Sequence, residues 1–202
     1  MKKWWAPILV YLGVGIGLFF FRTAWSSLLI FHITILISLF LAKPEIPLKF
    51  LFKTNHIEWV VLSILFCGSS GITLYFLWDK FGTAENLSAL VQAMGLNTYT
   101  WPAFIAYFTL INPFLEEYFW RAFLGSSTTE FHPSDFLYAG FHGLILMGKV
   151  QTSMIIYSLA LLVLAGWFWR QIMRADQGLL ASVLGHMAAD FTILMAVYWR
   201  LQ

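Results

Sequence analysis

Six stretches of this chain run for roughly 17–21 residues almost without charge, a pattern that leaves few folds open. They are Trp4–Phe21, Trp25–Ala42, Trp59–Trp78, Tyr99–Leu115 continuing towards Leu124, Thr152–Trp169 and Leu179–Trp199. At 1.5 Å per residue each is long enough to cross the roughly 30 Å hydrocarbon core of a bilayer as a helix. In hydrocarbon every backbone N–H and C=O must be satisfied, which a helix does within a single run. A seventh run, Phe136–Val150, is shorter and holds Gly140, Gly143 and Gly148, so it is expected to cross obliquely or to sit shielded inside the bundle. The fold expected is all-α: a polytopic transmembrane helix bundle of about seven spans.

Composition agrees with this reading and narrows the function. Apolar residues make up 60% and charged residues 11%, with mean hydropathy +0.76. Soluble domains carry roughly 25% charge. A net charge of +2, scattered without a basic run, argues against a nucleic-acid partner and against polybasic lipid recognition. The one cysteine, Cys67, cannot make an internal disulfide and reads as a small buried hydrophobe. Lys2-Lys3 ahead of a long apolar stretch is reminiscent of a secretory signal, but the stretch is too long and lacks a small-residue cleavage site, so a retained first helix is expected. Ala84–Gly95 is mildly amphipathic and should lie at the interface, where Trp4-Trp5, Trp167 and Trp199 would anchor other ends.

With seven spans and the N-terminus inside, Lys2, Lys3, Lys43, Lys49, Lys53, Arg121, Arg170 and Arg174 fall on the inner side, and Arg22, Lys80, Lys149 and Arg200 on the outer. That distribution obeys the positive-inside rule. A multi-pass protein of the cell membrane with a cytoplasmic N-terminus is expected.

Charge inside these runs is costly unless paired, which makes each instance a candidate functional group. One run ends in Asn112-Pro113-Phe114-Leu115-Glu116-Glu117-Tyr118-Phe119-Trp120-Arg121; two others carry His142 and the pair His186/Asp190. In the seven-span topology Glu116, His142 and His186 all lie roughly 9–12 Å from the inner face, at one depth. Neighbours on a helix point about 100° apart, so Glu116 and Glu117 cannot both face one substrate atom. Glu117 and Arg121, four apart, have the spacing of an intrahelical ion pair. Glu116 is then the free acid, and a desolvated carboxyl is a better base near neutral pH than a solvated one. His186 and Asp190 lie one turn apart and project to the same side, where an imidazole N–H can be aimed at a developing oxyanion. His142 or His186 taken alone would read as a core histidine; His32, His56 and His132 lie near loops or off this depth and are read as non-catalytic. Tyr138 reads as a packing residue, and the glycines and alanines around the histidines as allowing close helix approach.

These residues resemble the signatures of the intramembrane CAAX proteases and bacteriocin-processing enzymes, the CPBP or ABI family. Glu-Glu-x-x-x-Arg is matched by Glu116-Glu117-Tyr118-Phe119-Trp120-Arg121, Phe-x-x-x-His by Tyr138-Ala139-Gly140-Phe141-His142 with Tyr in place of Phe, and His-x-x-x-Asn/Asp by His186-Met187-Ala188-Ala189-Asp190. The resemblance covers about Phe114 to Tyr198. It divides the chain into N-terminal membrane helices with an interfacial segment, 1–98, and a catalytic CPBP-like core, 99–202. It implies a glutamate-type endopeptidase open to the cytoplasm, with Glu116, His142, His186 and Asp190 catalytic and no cofactor or metal. The substrate would be a peptide or protein C-terminus, lipidated or not, met at the membrane lipids. Where the family often has Asn, an ionised Asp190 cannot donate to an oxyanion, so it is expected to orient His186. Two other classes remain in view. Glu116, His142, His186 and Asp190 could hold zinc as a metalloprotease, although no His-Glu-x-x-His pair is present. Acids and histidines at depth could also form a relay in a non-enzymatic immunity or transport protein, although paired discontinuous segments are absent.

Overall fold

The computed structural model describes residues 3–202, so Lys2 of the N-terminal basic pair lies outside the described residues. The first run forms α1 (Ala6–Gly15), entered through Pro7, where a missing N–H costs nothing, and continued by a wider π turn, Ile16–Phe21. Arg22 closes that turn in the left-handed region, its N–H reaching Gly17 O at 2.9 Å, and Thr23 Oγ1 accepts from Ser26 N to start α2 (Ala24–Ala42). Then come α3 (Ile57–Phe76), the short α4 (Leu87–Ala93), α5 (Trp101–Glu117), α6 (Pro133–Leu146), α7 (Thr152–Asp176) and α8 (Leu180–Leu201). The expected amphipathic segment at 84–95 is thus helical over its middle, with Leu87 buried and Val91 and Met94 packed on the Trp101 and Phe104 cluster.

The described residues form no β-strands, and five segments are long and apolar enough to span a bilayer: Lys3–Phe21, Ala24–Ala42, Ile57–Phe76, Thr152–Asp176 and Leu180–Leu201. The α5 run is diluted by Asn112, Glu116 and Glu117. Helix α6 has 14 residues, about 21 Å, short of a full hydrocarbon core. It starts at Pro133 rather than near Phe136, because His132 and Asp135 form a reciprocal capping box that sets the helix start.

Helices α3 and α8 pack along most of their length. Gly71 and Gly185 permit it: a Cβ at Gly71 would lie 2.0 Å from the Thr192 carbonyl carbon, and one at Gly185 1.9 Å from Ser63 Oγ. The α3 start is held from across the bundle by buried Asp176, whose Oδ1 accepts from Asn55 N (2.8 Å) and His56 N (2.9 Å). A second buried acid fixes the 124–132 connection. Asp135 binds Arg170 through both oxygens, at 3.0 and 2.7 Å, while the same guanidinium donates to the carbonyls of Thr128 and Glu130. Arg170 is therefore sealed inside α7, which runs seven residues beyond Trp169 to Asp176, and is no loop charge. The main core joins Val10, Phe31, Ile35, Val60, Phe119, Trp120, Phe141, Trp169 and Ala189, drawing on all long helices of both halves of the chain.

Candidate active site

Helix α5 carries Pro113 in its interior, which cannot donate to the Thr109 carbonyl, and the chain passes straight from Glu117 into a second π turn, Tyr118–Phe123. Leu124 N reaches Phe119 O at 3.0 Å, the five-residue step of that wider turn. The acidic pair lies just ahead of this turn and faces inward. Glu116 is 2% exposed, Glu117 0% and Arg121 2%, so neither acid faces lipid or solvent.

Glu117 has two partners. Its Oε2 lies 3.4 Å from Arg121 Nε, the ion pair expected from the spacing, and its Oε1 accepts from His186 Nδ1 at 2.9 Å. A carboxylate only accepts, so Nδ1 carries the proton. Among the described residues Arg121 has no hydrogen bond to any guanidinium nitrogen and rests instead over the faces of Tyr138 (4.0 Å) and Trp169 (5.0 Å). His186 stacks on Trp169 with centroids 4.5 Å apart. Its other nitrogen, Nε2, faces Asp190 Oδ1 at 3.5 Å. Glu117 is thus the nearer partner of His186, and Asp190, one turn away on α8, the more distant one.

Glu116 points elsewhere. Its Oε1 accepts from Asn112 Nδ2 at 2.9 Å, one turn back on α5, and the same amide reaches Asp190 Oδ2 at 3.2 Å on α8. Oε2 of Glu116 is buried and has no hydrogen-bond partner among the described residues. Glu116 lies in the electrostatic field of His186, Asp190 and Arg121. On α6, His142 is partly exposed and donates from Nδ1 to Tyr138 O at 3.0 Å, which leaves Nε2 as the acceptor nitrogen of a neutral ring. The Tyr138 ring packs edge-on against both histidines, 5.1 Å from the His142 centroid and 6.1 Å from that of His186. Tyr138 is therefore a wall of the site as well as a packing residue.

Glu116, Glu117, Arg121, His186 and Asp190 are gathered by direct contacts or through one amide, and His142 joins them across Tyr138. Sequence reasoning passed over two members. Asn112 bridges the acids, and its signal was its place four residues before Glu116 on the same helical face. His32, set aside as lying near a loop or off the motif depth, is 3% exposed in mid-α2, with Nε2 3.1 Å from Asn112 Oδ1. Nothing local to its sequence marked it. Among the described residues no three His, Cys, Asp or Glu side chains gather as a group able to hold a metal ion.

A bundle of membrane-length helices with an acid–histidine cluster buried among them defines a polytopic membrane protein with a reactive interior. Residues 98–192 match the family model described as "Rce1-like: Type II CAAX prenyl endopeptidase Rce1-like", a stretch containing every residue of the cluster except His32. Over that stretch the chain is similar to the CAAX protease family, whose members are peptide hydrolases. No curated protein and no solved structure matches the chain significantly.

Proposed function

We propose that the protein is a glutamate-type intramembrane endopeptidase in which Glu116 and His142 activate a water molecule and His186 stabilises the oxyanion. The observation that carries this reading is the division of labour between the two acids: Glu117 is occupied by Arg121 and His186, while Glu116 keeps Oε2 unpartnered beside them. Glu116 Oε2 takes a proton from the water as its oxygen bonds to the scissile carbonyl carbon. His142 Nε2, the free acceptor of a ring fixed by Tyr138 O, holds the second water hydrogen. Negative charge then builds on the carbonyl oxygen and is met by the Nε2–H of His186, an imidazole carrying a proton on each nitrogen, whose orientation Glu117 holds from Nδ1. Breaking of the C–N bond returns the proton from Glu116 to the leaving amine, and His142 Nε2 takes the second water proton from the new carboxyl group and passes it to solvent, giving a carboxylate and a shortened peptide.

In this reading the site faces the cytoplasm, the N-terminus lies on that side of the cell membrane, and residues 99–202 form the catalytic core. The distribution of Lys and Arg supports the orientation. The substrate is a peptide or protein C-terminus presented at the bilayer, with prenylated termini the first to test because the matching family is described as prenyl endopeptidases. Glu116→Gln, purified in detergent and checked for monodispersity, is expected to lose cleavage of a prenylated reporter peptide by at least about 10³-fold, since proton transfer and charge stabilisation act on the same step. Wild-type turnover by a folded Glu116→Gln protein would refute the mechanism.

A further inference from the structure

Among the imidazoles that the mechanism does not use, the buried one with both ring nitrogens engaged is His32 on α2, among the described residues. Its Nδ1 lies 3.2 Å from Tyr107 Oη and its Nε2 3.1 Å from Asn112 Oδ1. Asn112 in turn reaches Glu116 Oε1 and Asp190 Oδ2 with its amide nitrogen. Donor and acceptor chemistry permits one arrangement of this chain. Two carboxylates can only accept, so the NH₂ of Asn112 must face them and its Oδ1 must face α2. Oδ1 needs a donor, so His32 carries its proton on Nε2, and Nδ1 of the neutral ring accepts from the Tyr107 hydroxyl. Every bond then runs the same way, Tyr107 to His32 to Asn112 to the two acids, and such chains polarise one another.

Resting on the proposed glutamate mechanism, we infer that His32 is a positioning residue: it locks the Asn112 amide so that its NH₂ clamps Glu116 and Asp190 at set positions and turns Glu116 Oε2 to the reacting water. Without a donor at His32, Oδ1 of Asn112 loses its partner in an apolar interior, and the amide is free to turn its acceptor oxygen towards a carboxylate. That rotation would repel Glu116 and move Oε2. A shift of about 1 Å in a reacting group can cost on the order of 100-fold in rate. It would act on the chemical step rather than on substrate binding, because His32 sits behind Asn112, away from Oε2.

The test is cleavage of a prenylated reporter peptide by His32→Leu, His32→Gln, Asn112→Leu and the His32→Leu/Asn112→Leu double variant, with Glu116→Gln as control and thermal unfolding measured for each. His32→Leu is expected to lower kcat about 10- to 100-fold with KM unchanged. His32→Gln, whose amide N–H can reach where Nε2 sits, should recover kcat to within a few-fold of wild type. The double variant should be no slower than Asn112→Leu alone, because His32 acts through that amide; a merely structural His32 would give additive losses. Wild-type kcat in His32→Leu, a His32→Gln protein as slow as His32→Leu, or additive losses in the double variant would each overturn the inference. With Glu116→Gln inactive, any of these outcomes removes the role of His32 and leaves the glutamate mechanism standing. An active Glu116→Gln protein removes both.

Discussion

Replacing Glu117 should harm the protein more than replacing Arg121, although the two form one ion pair. Glu117 lies 3.4 Å from Arg121 Nε and 2.9 Å from His186 Nδ1, and all three side chains are at most 3% exposed. Two unit charges at that first separation attract by about 5 kcal/mol at an effective dielectric constant near 20. In Glu117→Gln the arginine keeps only the faces of Tyr138 and Trp169, each worth about 0.5–2 kcal/mol, because it has no hydrogen bond to fall back on. Stranding one member of a buried pair costs about 3–5 kcal/mol. In Arg121→Met, by contrast, Glu117 keeps its bond from His186, so the loss is mainly the two aromatic contacts, about 1–4 kcal/mol in all and less where the Met side chain packs on the same rings. For a chain of this length 1 kcal/mol moves Tm by roughly 2–4 °C, so Glu117→Gln should lower Tm on the order of 10 °C and Arg121→Met by about half or less. The double variant Glu117→Gln/Arg121→Met, which strands no charge, should be more stable than Glu117→Gln alone. Thermal unfolding in detergent, followed by size exclusion of heated samples, reads all three. An Arg121→Met protein as unstable as Glu117→Gln, or a double variant less stable than either, would refute the assignment of two partners to Glu117.

Two further outcomes are expected. Asp190→Asn still offers an acceptor to Asn112 and should cleave within a few-fold of wild type, whereas Asp190→Leu should fall by about 10²–10³, the scale of a lost oxyanion contact; equal inactivity of both folded variants would favour a metal-ligand role. His132 caps α6 by accepting at Nδ1 from Ser134 N, and burial, helped by the Arg170 guanidinium, holds its pKa below the ordinary value. The folded state therefore prefers the neutral ring: this contribution is complete above about pH 6.5 and is lost as pH falls through that value towards the lowered pKa. His132→Asn, which caps without titrating, should flatten the Tm profile between about pH 5 and 8, and an unchanged profile would exclude His132 as its source.

The all-helical, membrane-length character of the chain and the pairing of Glu117 with Arg121 were legible because their signals are local. An apolar run of span length, or an acid and an arginine four residues apart, carries its consequence within one or two turns of helix. Contacts between helices were only partly legible. Asp135 and Arg170 pair across 35 residues, and nothing local in the sequence joined the two. The Glu117–His186 bond spans 69 residues, and the π turn at Tyr118–Phe123 that helps aim the acids leaves no mark in an apolar, aromatic stretch. His32 shows the same limit most plainly. A lone imidazole in mid-helix has the same sequence appearance whether it fills a core or ends a hydrogen-bond chain, and only Asn112, 80 residues away, distinguishes the two.

In the glutamate mechanism, water activated by Glu116 attacks the peptide carbonyl itself. Single-turnover cleavage in ¹⁸O-labelled water, with mass spectrometry of both the product and the enzyme, follows the oxygen. One label is expected in the new carboxylate of the product and none in the protein. Label in the Glu116 side chain would show that the carboxylate itself had attacked, forming an acyl-enzyme, and would contradict that mechanism.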